Sequence, residues 1–173
     1  MTLEEALHNS PAPPEILATQ VLLDLEFLGF DGQLHIGQLV AHRDLEAEIR
    51  AIFADILAAR FPIFSMIPVA AFNWSDDFSM AHNNSSAFNY RRKVGKTALS
   101  AHATGCAIDI NPLQNPYVSG DLVLPPNAVY DARIPGTLAE NGAVVRAFES
   151  RGWIWGGRWT TLKDWHHFEK PLR

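Results

Sequence analysis

The chain has 173 residues, 47% of them apolar and 19% charged, with a net charge of −5 at neutral pH. That length suits one domain with a sizeable core, and the composition excludes a disordered chain or a coiled coil. The acidic balance argues against a nucleic-acid binder, which carries a basic stripe, and Arg91-Arg92-Lys93 is the one basic cluster. A single cysteine, Cys106, excludes an intrachain disulfide framework. No apolar run reaches the ~18 residues of a transmembrane helix. The N-terminal stretch MTLEEALHNSPAPPE is acidic and lacks the basic and apolar regions of a signal peptide. The compartment stays open: the cell envelope or periplasm if a native signal was removed, otherwise the cytoplasm.

In chain order, residues 1–18 are polar, hold Pro11, Pro13 and Pro14, and read as an N-terminal arm; residues 19–173 form the expected domain. Val21, Leu23, Leu25 and Phe27 alternate with Asp24 and Glu26, a strand signal. A second extended run, 33–40, follows Asp31-Gly32, a pair whose tolerance of positive φ marks a hairpin. Asp44 is the expected N-cap of a helix to about Arg60, with Leu45, Ile49, Ile52, Phe53, Ile56 and Leu57 as its buried stripe. Pro62 stops that helix, and 64–72 reads as a strand.

Residues 73–99 are rich in loop formers but carry Trp74, Phe78, Met80, Phe88 and Tyr90 as anchors. Such a stretch is either a functional loop or a packed surface loop. Residues 107–110 form a short strand ended by Asn111-Pro112. The five prolines in 111–136 indicate an irregular excursion. Thr137 and Glu140 make a capping box for a helix to about Arg151, with Leu138, Val145 and Phe148 facing inward and Gly152 after its end. The motif GWIWGGRW and then DWHHFE (164–169) close the chain. The expected fold is α+β, a single domain with a central antiparallel sheet and two main helices.

Two stretches carry the chemistry. SAHATGCAIDINP, 100–112, offers His102 and Asp109, and DWHHFE offers Asp164, His166, His167 and Glu169. A catalytic zinc site takes three ligands from such residues and leaves one position open. Alternation in the first strand puts Asp109 on one face and Cys106, Ile108 and Ile110 on the apolar one, so Cys106 is a poor ligand and a good small core residue. His166 and His167 are adjacent, so in an extended segment only one of them faces a metal. Asp164 precedes His167 by three residues; a turn between them can bring its carboxylate beside a metal-bound water, or Asp164 can simply cap that turn.

Together, Ser100-x-His102-x-x-Gly105-x-Ala107-x-Asp109-Ile110, GWxWGGRW and Asp164-x-x-His167-Phe168-Glu169 resemble the M15-type zinc peptidases. That group comprises D-alanyl-D-alanine carboxypeptidases, the VanY and VanX type and L-alanyl-D-glutamate peptidases, and shares its fold with the Hedgehog signalling domain. The resemblance spans most of residues 60–170. It implies that His102, Asp109 and His167 hold Zn2+ and that Asp164 is the catalytic base. It also implies an arginine that binds a substrate carboxylate or carbonyl oxygen. In several members that arginine lies much further upstream; here the candidates are Arg91 and Arg92, with Arg91 preferred as part of SAFNYR, 86–91. Zinc would lower the pKa of its water toward ~7, Asp164 would take the proton, and Arg91 would help stabilise the oxyanion.

The expected activity is hydrolysis of peptidoglycan stem peptides or other D-Ala-containing peptides, by cleavage of the D-Ala-D-Ala or L-Ala-D-Glu type. The alternative is a zinc-stabilised, non-catalytic binding module of Hedgehog type. Asp164 separates the two, because a binding module has no need of a carboxylate beside an open metal position.

Overall fold

The N-terminal arm already carries helical turns. In the computed structural model, which describes residues 1–172, α1 spans Leu3–Leu7 and α2 spans Pro14–Leu17. The Thr2 side chain accepts from the Glu5 N–H and the Glu5 carboxylate accepts from the Thr2 N–H, a capping box within the arm. Ala6 and Ala12 pack with Val40 and Phe88, so the arm lies on the domain surface with its small residues buried.

The expected hairpin forms from β1, Gln20–Leu28, and β2, Leu34–His42, paired antiparallel from Gln20↔His42 to Leu28↔Leu34. Its turn runs through 29–33, closed by the Gly29 N–H donating to the Gln33 carbonyl at 2.8 Å. Of the Asp31-Gly32 pair, only Gly32 takes a positive φ. Helix α3 is Glu46–Ala58 and buries Ile49, Ile52, Phe53 and Ile56. Asp44 is not its cap. A 3-10 turn, Arg43–Leu45, precedes the helix, and the His42 ring accepts the Asp44 N–H.

Beyond α3 the strands shorten. The expected strand at 64–72 is only β3, Ser65–Met66, because Pro68 leads into a 3-10 turn at Val69–Phe72. Within the expected loop lies α4, Asp76–Ala81, N-capped by the Ser75 hydroxyl, followed by β4, Asn84–Ser85, which pairs parallel with β3. Next come β5, Ala107–Asp109, and, inside the proline-rich excursion, β6, Tyr117–Ser119, and β7, Leu122–Leu124.

The second main helix, α5, is Ala143–Glu149, shorter than the Thr137–Glu140 signal suggests. No capping box forms. The Leu138 N–H is taken by Asn115 Oδ1 at 2.7 Å and its carbonyl accepts from the Tyr130 hydroxyl, so this backbone is committed to the excursion and not to a helix. Last are β8, Ile154–Trp155, β9, Lys163–Asp164, and β10, His167–Glu169.

The chain is therefore α+β with few helices, and among the described residues the expected central antiparallel sheet is divided into three small antiparallel sheets, β1-β2, β5-β10-β8 and β7-β6-β9, beside the parallel pair β3-β4. Frequent Pro and Gly keep most strands to two or three residues. One core joins Leu23, Leu25 and Phe27 of β1, the inner face of α3, Val145 and Phe148 of α5, and Ile108, Trp155 and Phe168 of the three-stranded sheet. Phe148 stacks on Phe168 with centroids 3.9 Å apart. Each such side chain contributes roughly 1.5–3 kcal/mol by burial. This packing fixes the strands that carry the polar residues. In β5 and β10 the register is Phe168↔Ile108 and His167↔Asp109. With the first pair in the core, alternation turns the second pair to the opposite face. Among the described residues no helix is long and apolar enough to cross a membrane.

Candidate metal centre

Three separate elements deliver the ligating side chains. His102 sits on a 3-10 turn, Ala101–Thr104, whose Ser100 cap accepts the His102 N–H. Gly105 ends that turn at φ +72. A Cβ there would lie 2.2 Å from Gln20 Oε1 and 2.6 Å from the His42 nitrogen, so only glycine lets the turn dock on the hairpin. Asp109 ends β5 and His167 begins β10, directly opposite it. Beneath them runs the SAFNYR segment. Ser86 and Asp109 exchange backbone hydrogen bonds at 2.8 and 3.0 Å, and the Asn89 N–H donates to the His102 carbonyl at 3.1 Å. That motif thus braces two of the candidate ligands through its backbone, a role its side chains do not advertise.

The polar atoms converge. His102 Nε2 lies 3.0 Å from Asp109 Oδ2 and 3.1 Å from His167 Nδ1, and His167 Nδ1 lies 3.0 Å from Asp109 Oδ1. Ligands of a tetrahedral zinc ion at ~2.0–2.2 Å stand roughly 3.3–3.6 Å from one another, close to this spacing. The outer nitrogens fix the tautomers. The His102 Nδ1–H donates to the Ala87 carbonyl, which can only accept. His167 Nε2 lies 3.2 Å from Glu169 Oε2, so its N–H points to that carboxylate. Two imidazole lone pairs and a carboxylate therefore face one point, a donor set that needs a cation at its centre, with outer partners of the kind metal-binding histidines use. The residues fit a zinc ion.

A proton can occupy the same point. Burial pushes His167 down, but its hydrogen bonds to Asp109 and Glu169 outweigh that and raise its pKa to about 10. Burial pushes Asp109 up, but the charges of His102 and His166 and hydrogen bonds from His102 and His167 hold it well below the usual carboxylate range. Glu169 is lowered by the hydrogen bond from His167, with Lys93 adding to the effect. A metal must displace protons here, because ligating histidines are neutral.

Asp164 stands beside this cluster. Its backbone is paired through Tyr117↔Asp164 with the excursion strand β6. It also lies against Gly156, where a Cβ would come within 2.5 Å of the Asp164 carbonyl oxygen. Its buried Oδ1 makes an ion-pair contact of 2.9 Å with His166 Nε2 and has no other partner. Burial raises the Asp164 pKa, yet the His166 charge and contact lower it further, which keeps the group a carboxylate.

Of the two places open to His166 if His167 faces the metal, solvent or a position behind the ligands, the structure has the second. Residues 165 and 166 form a turn, so strand alternation does not apply to them, and the His166 ring is buried, 3.8 Å from Asp109 Oδ2. It points neither to solvent nor away from the site. Glu169, one of the residues offered by DWHHFE, is the hydrogen-bond partner of His167. The Ala87 carbonyl has no sequence signal at all.

A cleft of about 370 Å³ opens onto the cluster, in the range of small-ligand sites. Its lining joins the cations Arg91, Lys93 and Lys96 and the apolar Leu124, Ile154, Trp159 and Leu162 to Asp164, His166 and His167. His102 and Asp109 lie deeper, 1% and 2% exposed. Arg91 is half-buried and its Nε pairs with Asp76 at 2.8 Å. Arg92 is exposed, does not line the cleft, and donates to the Thr97 carbonyl.

Residues 94–170 match the family model described as D-alanyl-D-alanine carboxypeptidase. The matched range contains His102, Asp109, Asp164, His166, His167 and Glu169; Arg91 precedes it. No curated protein and no solved structure matches the chain.

Proposed function

We propose, on the match of residues 94–170 to the D-alanyl-D-alanine carboxypeptidase model, a zinc peptidase of M15 type that hydrolyses peptidoglycan stem peptides containing D-amino acids, on a Hedgehog/DD-peptidase-like fold. The observation that carries this reading is the meeting of His102 Nε2, Asp109 and His167 Nδ1 at one point, with the Asp164 carboxylate in the wall of the adjoining cleft. A zinc ion held there by His102, Asp109 and His167 would supply Lewis acidity for the carbonyl oxygen and would lower the pKa of a bound water toward ~7. Asp109 lowers the net charge of the site relative to three histidines. Asp164, ionised and in the wall of the cleft, accepts the proton of the attacking water and passes it to the departing amine. Trp159, its ring 5.6 Å from that of His167, lines the cleft as part of its apolar surface.

Purified protein with zinc should release D-alanine, a dipeptide or an internal cleavage product from cell-wall fragments. Mass spectrometry of the digest reads the scissile bond directly. Chelation should abolish the release and added zinc restore it; release that survives thorough chelation would overturn metal dependence. Zinc bound at one equivalent with no hydrolysis of any stem peptide would favour the Hedgehog-type binding module.

Arg91 is the proposed partner of a substrate carboxylate or of the developing oxyanion. Its ion pair with Asp76 engages Nε and holds the side chain at the cleft. An ammonium cannot copy a guanidinium fork. Arg91→Lys should therefore lower kcat/KM about 10- to 100-fold, as a charged hydrogen bond is worth about 1.5–3 kcal/mol. Arg92→Lys should change it little. The reverse ranking would move the role to Arg92, and two neutral variants would remove it from this segment.

A further inference from the structure

We propose that His166 is a positioning residue that holds the Asp164 carboxylate at its working angle; the inference rests on Asp164 being the general base. The imidazole is engaged at both ends. Nδ1 lies 2.7 Å from the Asn115 backbone carbonyl, which can only accept, so Nδ1 carries a hydrogen and donates it. Nε2 lies against Asp164 Oδ1 at 2.9 Å. The ring is 3% exposed.

The anchor is itself rigid. The Asn115 side chain is fully buried and donates to the carbonyls of Ile110, Asn111 and Gly136, while its Oδ1 accepts from Leu138. The His166 carbonyl accepts the Ile110 N–H at 3.0 Å, just past the end of β5. One end of the imidazole is thus fixed to the strand that presents Asp109, and the other meets the base.

The backbone of Asp164 is immobilised by β6 and by its contact with Gly156. What remains is rotation of its side chain. The group that meets Oδ1 is His166 Nε2, at 2.9 Å, and that polar contact limits the rotation. The same ring separates two carboxylates, with Nε2 2.9 Å from Asp164 and 3.8 Å from the buried Asp109. Without it, Asp164 is released to turn toward the cation or out of the cleft. A misplacement of about 1 Å can cost on the order of 10²-fold in rate.

The test compares His166→Leu, His166→Asn and His166→Gln in zinc-loaded protein, with zinc content, kcat and KM read for each. Leu and Asn, which cannot reach Asp164, should keep zinc and KM and lose about 10- to 100-fold in kcat. Gln carries an amide N–H near the former Nε2 and should recover most of the loss. If the Leu variant does not fold, the Asn and Gln pair decides: equal kcat in those two at equal zinc content overturns the inference. Normal kcat in the Leu or Asn variant overturns it as well, and so does zinc loss in step with activity, which would mark His166 as a ligand. Asp164→Asn in the same series separates the levels. An inactive Asp164→Asn beside a normal His166→Asn sinks only the positioning role, whereas an active Asp164→Asn sinks the underlying assignment.

Discussion

Asp164→Asn should keep the fold and a full equivalent of zinc and lose about 10²–10⁴-fold in kcat, the usual worth of general-base assistance. The exchange is nearly isosteric, and Tyr117 and Gly156 hold the backbone of residue 164 whatever its side chain. The amide cannot accept a proton at neutral pH, so the attacking water stays unactivated. Metal content measured beside turnover makes the result specific. Near-normal turnover with zinc bound would show that Asp164 is not the base. Glu169 is then next in line, although its Oε2 already accepts from His167. Loss of zinc would instead place Asp164 among the ligands.

Replacing His102, Asp109 or His167 with Ala should remove zinc and activity together. Changing an outer partner of a metal ligand typically costs 10- to 100-fold in affinity, and deletion of a ligand should cost more than about 100-fold. Glu169→Gln, which alters only the partner of His167 Nε2, should fall within that smaller range. His166→Ala should leave zinc largely in place. Equal zinc loss in the His166 and His167 variants would refute the division of labour between these neighbours.

The elements with strong periodicity were legible in the sequence. The alternation of Val21 to Phe27 and the stripe on α3 stand out because burial writes directly into residue type. The face assignment around Asp109 was legible for the same reason, since Ile108 and Ile110 are fully buried. Short helices were not. Only Ser79 and Met80 are buried in α4, too few to leave a stripe. The Thr137–Glu140 signal misled because a distant side chain, Asn115, claims the backbone it would have capped. The site followed the same division. The family resemblance implied His102, Asp109 and His167 as one set, and the three lie together in the fold. The Ala87 carbonyl, the bond between His167 and Glu169 and the inward turn of His166 depend on contacts between segments far apart in the chain, and the chain order carries no trace of them.

The pairing of β5 with β10 has a consequence for how the chain avoids wrong structures. Since Phe168 faces Ile108 and His167 faces Asp109, a slip of one residue in this ladder would exchange the two sets of side chains. An imidazole and a carboxylate would enter the apolar layer beside Phe148, and the phenyl ring would turn out to the polar face. Each error is costly alone: a buried charge without its partner, and a vacancy in the packing. One hydrogen-bond register therefore answers to two independent penalties. A three-residue strand, too short to choose its alignment by backbone bonding, is held in alignment by the contrast between its faces.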